Sequence, residues 1–193
     1  KGNPLKTRDG GNVKLVDLYE QTFNYIRDIN SELSKNDIHC LTNTVLTYSD
    51  LITNRKTDYK FDLEKFTNVA GKTGIYIQYA QVRANKLIST LNVGEQSISE
   101  TSSKLDSLDR KLIIALANIE FYLELSVKNC EPHHLANYLY EISNAFNAFY
   151  QASNIKNIEN KIKKNQKILI TRLFIKYSHL VMSCLGIKPV EKM

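Results

Sequence analysis

Residues 131–150 read EPHHLANYLYEISNAFNAFY, and this stretch carries the clearest structural pattern in the chain. Pro132 suits the first turn of a helix, where no backbone N–H donor is required. Large apolar side chains then recur every three or four residues, at Leu135, Tyr138, Leu139, Ile142, Phe146 and Phe149. This spacing predicts a helix with one buried face, so the core must contain further helices that cover that face.

Further helices with the same period are predicted on both sides of this stretch. They cover residues 15–33, 38–52, 75–91, 105–127 and 166–185, together with a short helix that Asp62 caps and that runs to Val69. In the last helix, with Gly186 ending it, the side chains expected to face the core are Leu169, Leu173, Tyr177, Leu180 and Cys184. No stretch shows a convincing β-strand pattern. The predicted fold class is therefore all-α, a bundle of about five or six helices.

The net charge of +6 is concentrated in one segment. Residues 154–176 contain seven Lys or Arg against the single acid Glu159, whereas the basic and acidic residues of the remaining chain balance. A local basic stretch is typical of a surface that faces a polyanion, and the Lys-rich part over residues 156–167 would attract phosphates independently of base sequence. A solvated, Lys-rich connection between helices explains the charge equally well.

Cysteine and histidine usage predicts no metal site. Cys40, Cys130 and Cys184 are far apart and match no zinc or redox spacing, which favours reduced thiols in an intracellular protein. His133 and His134 are adjacent, so on a helix their side chains should point in different directions. No apolar run is long enough to cross a bilayer, and the first residues lack the apolar core of a signal peptide. We therefore expect a cytoplasmic protein with no membrane partner.

Two sets of side chains are candidates for contact with RNA. Tyr76, Tyr79 and Arg83 share a helix face and could supply stacking rings and a guanidinium, although tyrosines at the edge of a core show the same spacing. A second face, on the helix over residues 131–150, carries Tyr140, Asn144, Asn147 and Gln151, with Tyr150 beside it. Its amides can donate to and accept from base edges, but a merely solvated face would look the same.

Three stretches resemble arginyl-tRNA synthetases, in the order that the family has them. They are PLKTRDGGNVKL at residues 4–15, TGIYIQYAQVR at residues 73–83 with DYKFD before it at residues 58–62, and the stretch at residues 131–150. The first resembles the family's form of the class I signature loop, and the last resembles its helical DALR anticodon-binding domain. The ending at residues 185–193 is also similar to the family's. Ile75 and Asn85 depart from the family, which often has Pro and Ser there.

The resemblance implies a division of the chain and a set of contacts with RNA. Residues 1–34 would be the trailing end of a class I catalytic domain, with the signature loop and the helix after it. Residues 35–193 would form a DALR-type anticodon-binding domain with a loop at residues 92–105. The residues expected to contact tRNA are Tyr76, Tyr79, Arg83, Tyr140, Asn144, Asn147, Tyr150 and Met193.

The activity implied by the resemblance is that of an arginine–tRNA ligase, which uses ATP with Mg²⁺ to activate arginine and then transfers it to tRNA-Arg. Lys6, Thr7 and Arg8 would contact the ATP phosphates, where negative charge must be held as pyrophosphate leaves. The family's His-Ile-Gly-His-type motif and the first half of its nucleotide-binding fold are absent. We therefore expect a C-terminal fragment of a monomeric enzyme, able to bind tRNA but unable to make arginyl-tRNA alone.

Three other interpretations stay open at this point. A class I synthetase of the cysteinyl or methionyl type would have a similar helical domain, although the Lys6–Arg8 loop and the Phe146–Tyr150 stretch speak against it. A free-standing helical module could bind RNA or another protein without catalysis. A purely structural bundle would retain no tRNA in a salt-dependent manner.

Overall fold

The structure, a computed structural model, describes residues 14–59, 61–91 and 104–193. Within these ranges the only regular elements are helices, which confirms the all-α prediction. The elements are α1 (Leu15–Ile29), α2 (Lys35–Leu51), α3 (Leu63–Phe66), α4 (Gly74–Leu91), α5 (Ser107–Ala117), α6 (Ile119–Asn129), α7 (His133–Ser153), a 3₁₀ turn (Ile155–Asn157) and α8 (Lys161–Cys184). In the described ranges, no helix has the length and apolar character needed to span a membrane.

Polar side chains fix the start of three helices. Ser34 before α2, Asp62 before α3 and Asn160 before α8 each accept the backbone N–H of the residue three positions later, at 3.1, 3.1 and 2.9 Å. Such caps satisfy one of the N–H groups that have no partner inside the helix. The cap at Asp62 confirms the prediction. The cap at Asn160 starts α8 five residues before the predicted position, so much of the Lys-rich segment is helical and not a connection.

A glycine ends α8, as predicted. Gly186 has φ of +71°, in the left-handed region that favours glycine. Its backbone N–H donates to the carbonyl oxygen of Ser183 at 3.1 Å, and the N–H of Ile187 donates to that of Met182 at 2.8 Å. These two bonds are the Schellman arrangement, which satisfies carbonyl groups in the last turn of the helix.

Four other predicted boundaries were wrong. Helix α2 begins at Lys35, three residues before the predicted Ile38. The single helix predicted over residues 105–127 is divided into α5 and α6, because Asn118 has ψ of 5° and leaves the α-helical region. The first helix ends at Ile29, because Asn30 is extended, with φ of −140° and ψ of 90°. The short helix α3 ends at Phe66, three residues before the predicted Val69.

Helix α7 lies at the centre of the bundle and packs against α4, α5, α6 and α8. The side chains that form its predicted apolar face, Leu135, Leu139, Ile142, Phe146 and Phe149, are all buried. The ring of Phe146 stacks on that of Phe174 in α8, with centroids 4.2 Å apart and planes 5° from parallel. Burying an apolar side chain of this size contributes about 1.5–3 kcal/mol. The pattern that predicted α7 therefore also identified the main core.

Two buried tyrosines join α7 to its neighbours through their hydroxyl groups. Tyr48 of α2 donates to the carbonyl oxygen of Ala136, and Tyr138 of α7 donates to that of Leu116, each at 3.0 Å. Burial raises the pKa of both phenols, which keeps them protonated as donors. Both hydroxyls are thus satisfied inside the core.

The predicted inward face of α8 was wrong at Leu169, Leu180 and Cys184, whereas Leu173 and Tyr177 pack against the core. Leu169 and Leu180 are 38% and 47% exposed, Cys184 is exposed, and Leu173 and Tyr177 are only partly buried. The face that the structure buries is formed by Asn165, Gln166, Lys167, Ile168, Ile170, Thr171, Phe174, Ser178, Val181 and Met182. Because this face mixes polar side chains with apolar ones, its helical period is not visible in the sequence.

A buried ion pair joins α8 to α5. The ammonium of Lys167 contacts the carboxylate of Asp109, and it lies 3.0 Å from Oδ2 of Asp106. The side chains of Lys167 and Asp109 are 3% and 0% exposed. Lys163 also reaches Asp106, at 3.4 Å. Lys163 and Lys167 therefore neutralise carboxylates of the protein itself, which differs from both interpretations of the Lys-rich segment, a phosphate-facing surface and a solvated connection.

A second apolar cluster joins α1, α2, α3 and the start of α4 to the C-terminal tail, residues 187–193. Its buried members are Ile26, Ile38, Leu41, Val45, Phe66, Ile75 and Val190. Gln78 of α4 holds the tail: its Nε2 donates to the carbonyl oxygen of Lys188 at 2.7 Å, and its Oε1 accepts the backbone N–H of Val190 at 3.0 Å. The same Nε2 donates to Oγ1 of Thr44 at 2.8 Å. This buried amide therefore fixes the tail against α2 and α4.

Candidate nucleic-acid interface

Helices α4 and α7 pack directly against each other and bring seven of the predicted RNA contacts onto one surface. The surface, which we call the α4–α7 face, consists of Tyr76, Tyr79, Arg83, Tyr140, Asn144, Asn147 and Tyr150. Every one of these residues touches at least one other member of the set. Two helix faces that the sequence suggested separately are thus parts of a single arrangement.

One end of the α4–α7 face is a pair of tyrosine rings. Tyr76 and Tyr140 are half-buried, with ring centroids 5.5 Å apart and planes inclined at 43°. The hydroxyl of Tyr76 donates to Oδ1 of the exposed Asn144 at 3.1 Å. This bond fixes the side-chain amide of Asn144, whose NH₂ group can donate to a further acceptor. The pair therefore combines aromatic surface with an oriented amide donor.

The other end is built around the guanidinium of Arg83. It lies over the ring of Tyr79, 4.0 Å from the centroid, and 5.5 Å from the centroid of Tyr150. Its Nη1 donates to Oδ1 of Asn147 at 3.2 Å, and its Nη2 donates to the hydroxyl of Tyr79. Two of the five N–H donors of the guanidinium are used in these bonds. Arg83 is therefore held rigidly and can still donate to a phosphate or a base edge.

Asn147 has a different position from the one that its spacing suggested. Its side chain is buried, with only 6% of the residue exposed, whereas Asn144 and Gln151 on the same helix are exposed. Because its Oδ1 accepts from Arg83, Asn147 orients the guanidinium and presents little surface of its own. Its part in any RNA contact would be indirect.

Met193 lies away from the centre of the face but close to one of its members. It packs against the second apolar cluster. Met193 and Tyr79 both line a cavity of about 210 Å³, whose other walls include Ile26, Leu41 and Ile75. The end of the chain is therefore next to the face, on the side of α4 that the tail covers.

Sequence reasoning missed Lys72 and Asn137. The ammonium of Lys72 lies 5.5 Å from the centroid of the Tyr140 ring and donates to Oδ1 of Asn137 at 2.8 Å. A cation above a tyrosine ring is attracted to the negative face of its π system. Lys72 lies four residues before Tyr76 and just before α4, and this position could have indicated a cation next to the tyrosines. These residues extend the α4–α7 face with a second cation.

The predicted ATP contacts, Lys6, Thr7 and Arg8, lie outside the described residues. The thiols of Cys40, Cys130 and Cys184 are all free, as predicted.

The expectation that His133 and His134 point in different directions was wrong. Their ring centroids are 4.0 Å apart, with planes inclined at 36°. Both lie at the start of α7, next to Glu131, whose Oε2 is 3.2 Å from Nε2 of His134. Among the described residues, these three form a group that could hold a metal ion. At the start of a helix the side chains have space to turn towards each other.

Comparison with known proteins gives the family of the chain. The model of the DALR anticodon binding domain matches residues 77–193. Curated arginine–tRNA ligases of Actinobacillus succinogenes and Pasteurella multocida are 36% and 34% identical to the chain. These alignments cover 100% of the chain but only 35% and 36% of the two ligases. The chain thus spans about a third of the length of these relatives.

Solved structures support the same assignment at the level of the fold. The arginyl-tRNA synthetase of Thermus thermophilus matches with a TM-score of 0.86 and 21% identity, over 95% of this chain and 33% of that one. The arginyl-tRNA synthetase of Plasmodium falciparum matches with a TM-score of 0.77 and 25% identity, over 94% of this chain and 34% of that one. The resemblance seen in the sequence is confirmed, and the chain belongs to the DALR anticodon-binding domain family.

Proposed function

We propose that this chain binds the anticodon region of tRNA-Arg through the α4–α7 face, as a C-terminal part of an arginine–tRNA ligase. The observation that carries the proposal is the assembly of tyrosine rings and a fixed guanidinium on one surface of a DALR-family chain. Anticodon bases are unpaired, so a protein can stack rings on them and form hydrogen bonds with their edges.

The two ends of the face suit two parts of a nucleotide. Tyr76 and Tyr140 offer ring surface to a base, and stacking of this kind contributes about 1–3 kcal/mol per base. Asn144 can form a hydrogen bond with the edge of the same base. Arg83 and Lys72 supply positive charge for the backbone phosphates on either side. The seven residues would therefore act as one binding surface, with Met193 beside Tyr79 at its margin.

The activity of the whole ligase is part of the proposal. Residues 1–34 would be the end of its catalytic domain, and residues 35–193 its anticodon-binding domain, with the loop at residues 92–105. Lys6, Thr7 and Arg8 would hold the phosphates of ATP, with Mg²⁺, while arginine is activated. We propose a monomeric, cytoplasmic enzyme. Because the chain has about a third of the length of its relatives, we expect it alone to bind tRNA without forming arginyl-tRNA.

Binding to labelled tRNA transcripts tests the proposal. Fluorescence anisotropy should show salt-dependent binding of tRNA-Arg, and weaker binding of a transcript whose anticodon bases are replaced. Tyr140→Ala should lower the affinity for tRNA-Arg about 5- to 140-fold, the equivalent of one lost stacking contact. Tyr59→Ala is the matched control, because Tyr59 is 42% exposed and lies outside the face.

Two outcomes would contradict specific parts of the proposal. Equal binding of both transcripts would favour the alternative, a free-standing module that binds RNA or protein without catalysis. Equal loss of affinity in the two tyrosine variants would show that the α4–α7 face is not the binding surface. Formation of arginyl-tRNA by this chain, measured with radiolabelled arginine and ATP, would refute the expectation that it is inactive alone.

A further inference from the structure

We propose that Glu131, His133 and His134 form a binding site for a divalent transition-metal ion, with Zn²⁺ as the best match. Each of these side chains offers one ligand atom, and the three ligand atoms all lie within 4.8 Å of one another. The site shares no residue with the α4–α7 face. It therefore stands independently of the proposed binding of tRNA.

The geometry is close to that of a zinc site before any ion is bound. Zinc bonds of about 2.0–2.2 Å in a tetrahedron place neighbouring ligand atoms roughly 3.3–3.6 Å apart. Nε2 of His134 and Oε2 of Glu131 are already 3.2 Å apart. The ring of His133 lies beside that of His134, with centroids 4.0 Å apart. A movement of about 1 Å would bring the third ligand atom into place.

His133 carries a second indication. Its Nδ1 is buried and has no hydrogen-bond partner in the described part of the chain. A buried imidazole nitrogen normally has a partner, and a bound metal ion would supply one to this ring. Nε2 of His179 also has no partner in the described part of the chain, but it belongs to no group there that could hold a metal ion. If one nitrogen of the His133 ring binds the metal ion, a rotation of the ring can bring the other nitrogen to solvent or to a carbonyl group. Neither nitrogen would then be buried without a partner. The rings need only rotate about their side-chain bonds, since both residues are half-buried at the first turn of α7.

Glu131 is held in the orientation that the site needs. The residue is 8% exposed, and its Oε1 accepts from Nζ of Lys56 at 2.9 Å. This bond leaves Oε2 facing the histidines, as an outer partner commonly orients a metal-bound carboxylate. Lys56 and the positive end of α7 repel a cation, so both weaken the binding of a metal ion at this site. The side chain of Lys56 is 71% exposed and can move away when an ion enters.

The ligand types select the ion. Two imidazoles and one carboxylate, with a fourth position open to water, match sites that hold zinc. Mg²⁺ and Ca²⁺ prefer oxygen ligands alone and suit this set poorly. Ions such as Co²⁺ and Ni²⁺ accept imidazole and should also bind, in the order set by their general affinity for nitrogen ligands.

Isothermal titration of the whole chain with ZnCl₂ tests the proposal. We expect one site, and at least about a tenfold loss of affinity in His134→Gln and in His133→Gln, since losing even an outer partner of a metal site costs about ten- to a hundredfold. His179→Gln is the matched control, because it removes an imidazole far from this group in sequence and should change the affinity less than about twofold.

The results separate this site from other sources of zinc binding. All variants keep the three free cysteines, so zinc held by thiols would bind equally to every one of them and would overturn the proposal. Competition of MgCl₂ with zinc at equal concentration would overturn it as well. Circular dichroism checks that each variant is folded. If His133→Gln does not fold, His134→Gln decides, because its side chain is 24% exposed and its replacement leaves the core intact.

Discussion

Replacing Lys167 with Met should destabilise the chain by about 3–5 kcal/mol, the usual cost of removing one partner from a buried ion pair. Lys167 is 3% exposed, and its partner Asp109 is fully buried. Methionine keeps an apolar stem of similar length but lacks the ammonium. The carboxylate of Asp109 would then stay buried, and the donors left to it among the described residues would be the Gln166 amide at 3.1 Å and the backbone N–H of Asp106 at 3.2 Å. For a chain of 193 residues this loss lowers the melting temperature by about 6–20 °C.

Lys163→Met is the matched control for this prediction. It makes the same chemical change one turn earlier in α8. The side chain of Lys163 is 43% exposed and lies 3.4 Å from Asp106, whose side chain is 46% exposed. An exposed pair of this kind contributes about 0–1 kcal/mol. Thermal and urea unfolding followed by circular dichroism should therefore separate the two variants clearly.

A double variant locates the origin of the loss. Lys167→Met combined with Asp109→Leu removes both charges, and apolar replacement of a whole buried pair is often neutral or stabilising. The double variant should be more stable than Lys167→Met alone, although Leu also loses the hydrogen bond from Gln166. The reasoning is refuted if the two single lysine variants lose the same small amount, because the ion pair would then not be buried in solution.

Three further predictions concern packing, pH and RNA. Gly74→Ala should destabilise the chain by about 1–3 kcal/mol in urea unfolding, because a Cβ atom there would lie 2.8 Å from the carbonyl oxygen of Thr44. Unchanged stability would show that α2 and α4 are further apart. The hydrogen bond from Lys167 holds the pKa of Asp106 below its ordinary value, so the carboxylate contributes stability above its unfolded pKa and loses it as the pH falls through its lower folded pKa. Melting temperatures of the wild type and Asp106→Asn should therefore converge on acidification, and a constant difference would contradict this. Arg83→Gln should weaken tRNA binding and reduce the slope of log affinity against log salt by about 0.7–0.9, as expected for one lost phosphate contact; an unchanged slope in anisotropy titrations would exclude that contact.

The sequence was sufficient to predict which face of a helix is buried wherever that face is set by residues close together in the chain. The apolar and polar residues of α7 fall on separate faces, so helix geometry alone placed Phe146 in the core and Tyr140 on the surface. The same geometry placed Tyr76, Tyr79 and Arg83 on one side of α4. Their contact with α7 could not be read from spacing, since Arg83 and Asn147 are 64 residues apart in the chain.

Prediction failed where a polar residue is buried by a distant partner. Lys167 looked solvated because its carboxylate partner, Asp109, lies 58 residues away. With Lys167 assigned to the solvent side of α8, the opposite side was predicted to face the core, and Leu180 was wrongly included in it. The prediction for the two histidines was wrong for a different reason. Helical spacing fixes the direction of the Cα–Cβ bonds, but the rotation of the side chains decides whether His133 and His134 meet.

The bonds of Gln78 decide how the end of the chain can be studied. Deleting residues 190–193 would take the N–H donor away from Oε1 of a buried amide and would open the cluster between α1 and α2. A shortened protein with poor affinity for RNA would then report a damaged scaffold and not the loss of Met193. Met193→Ala keeps every backbone bond that Gln78 makes to the tail. A point substitution can therefore test whether Met193 contributes to RNA binding, whereas a truncation cannot, because it also damages the fold.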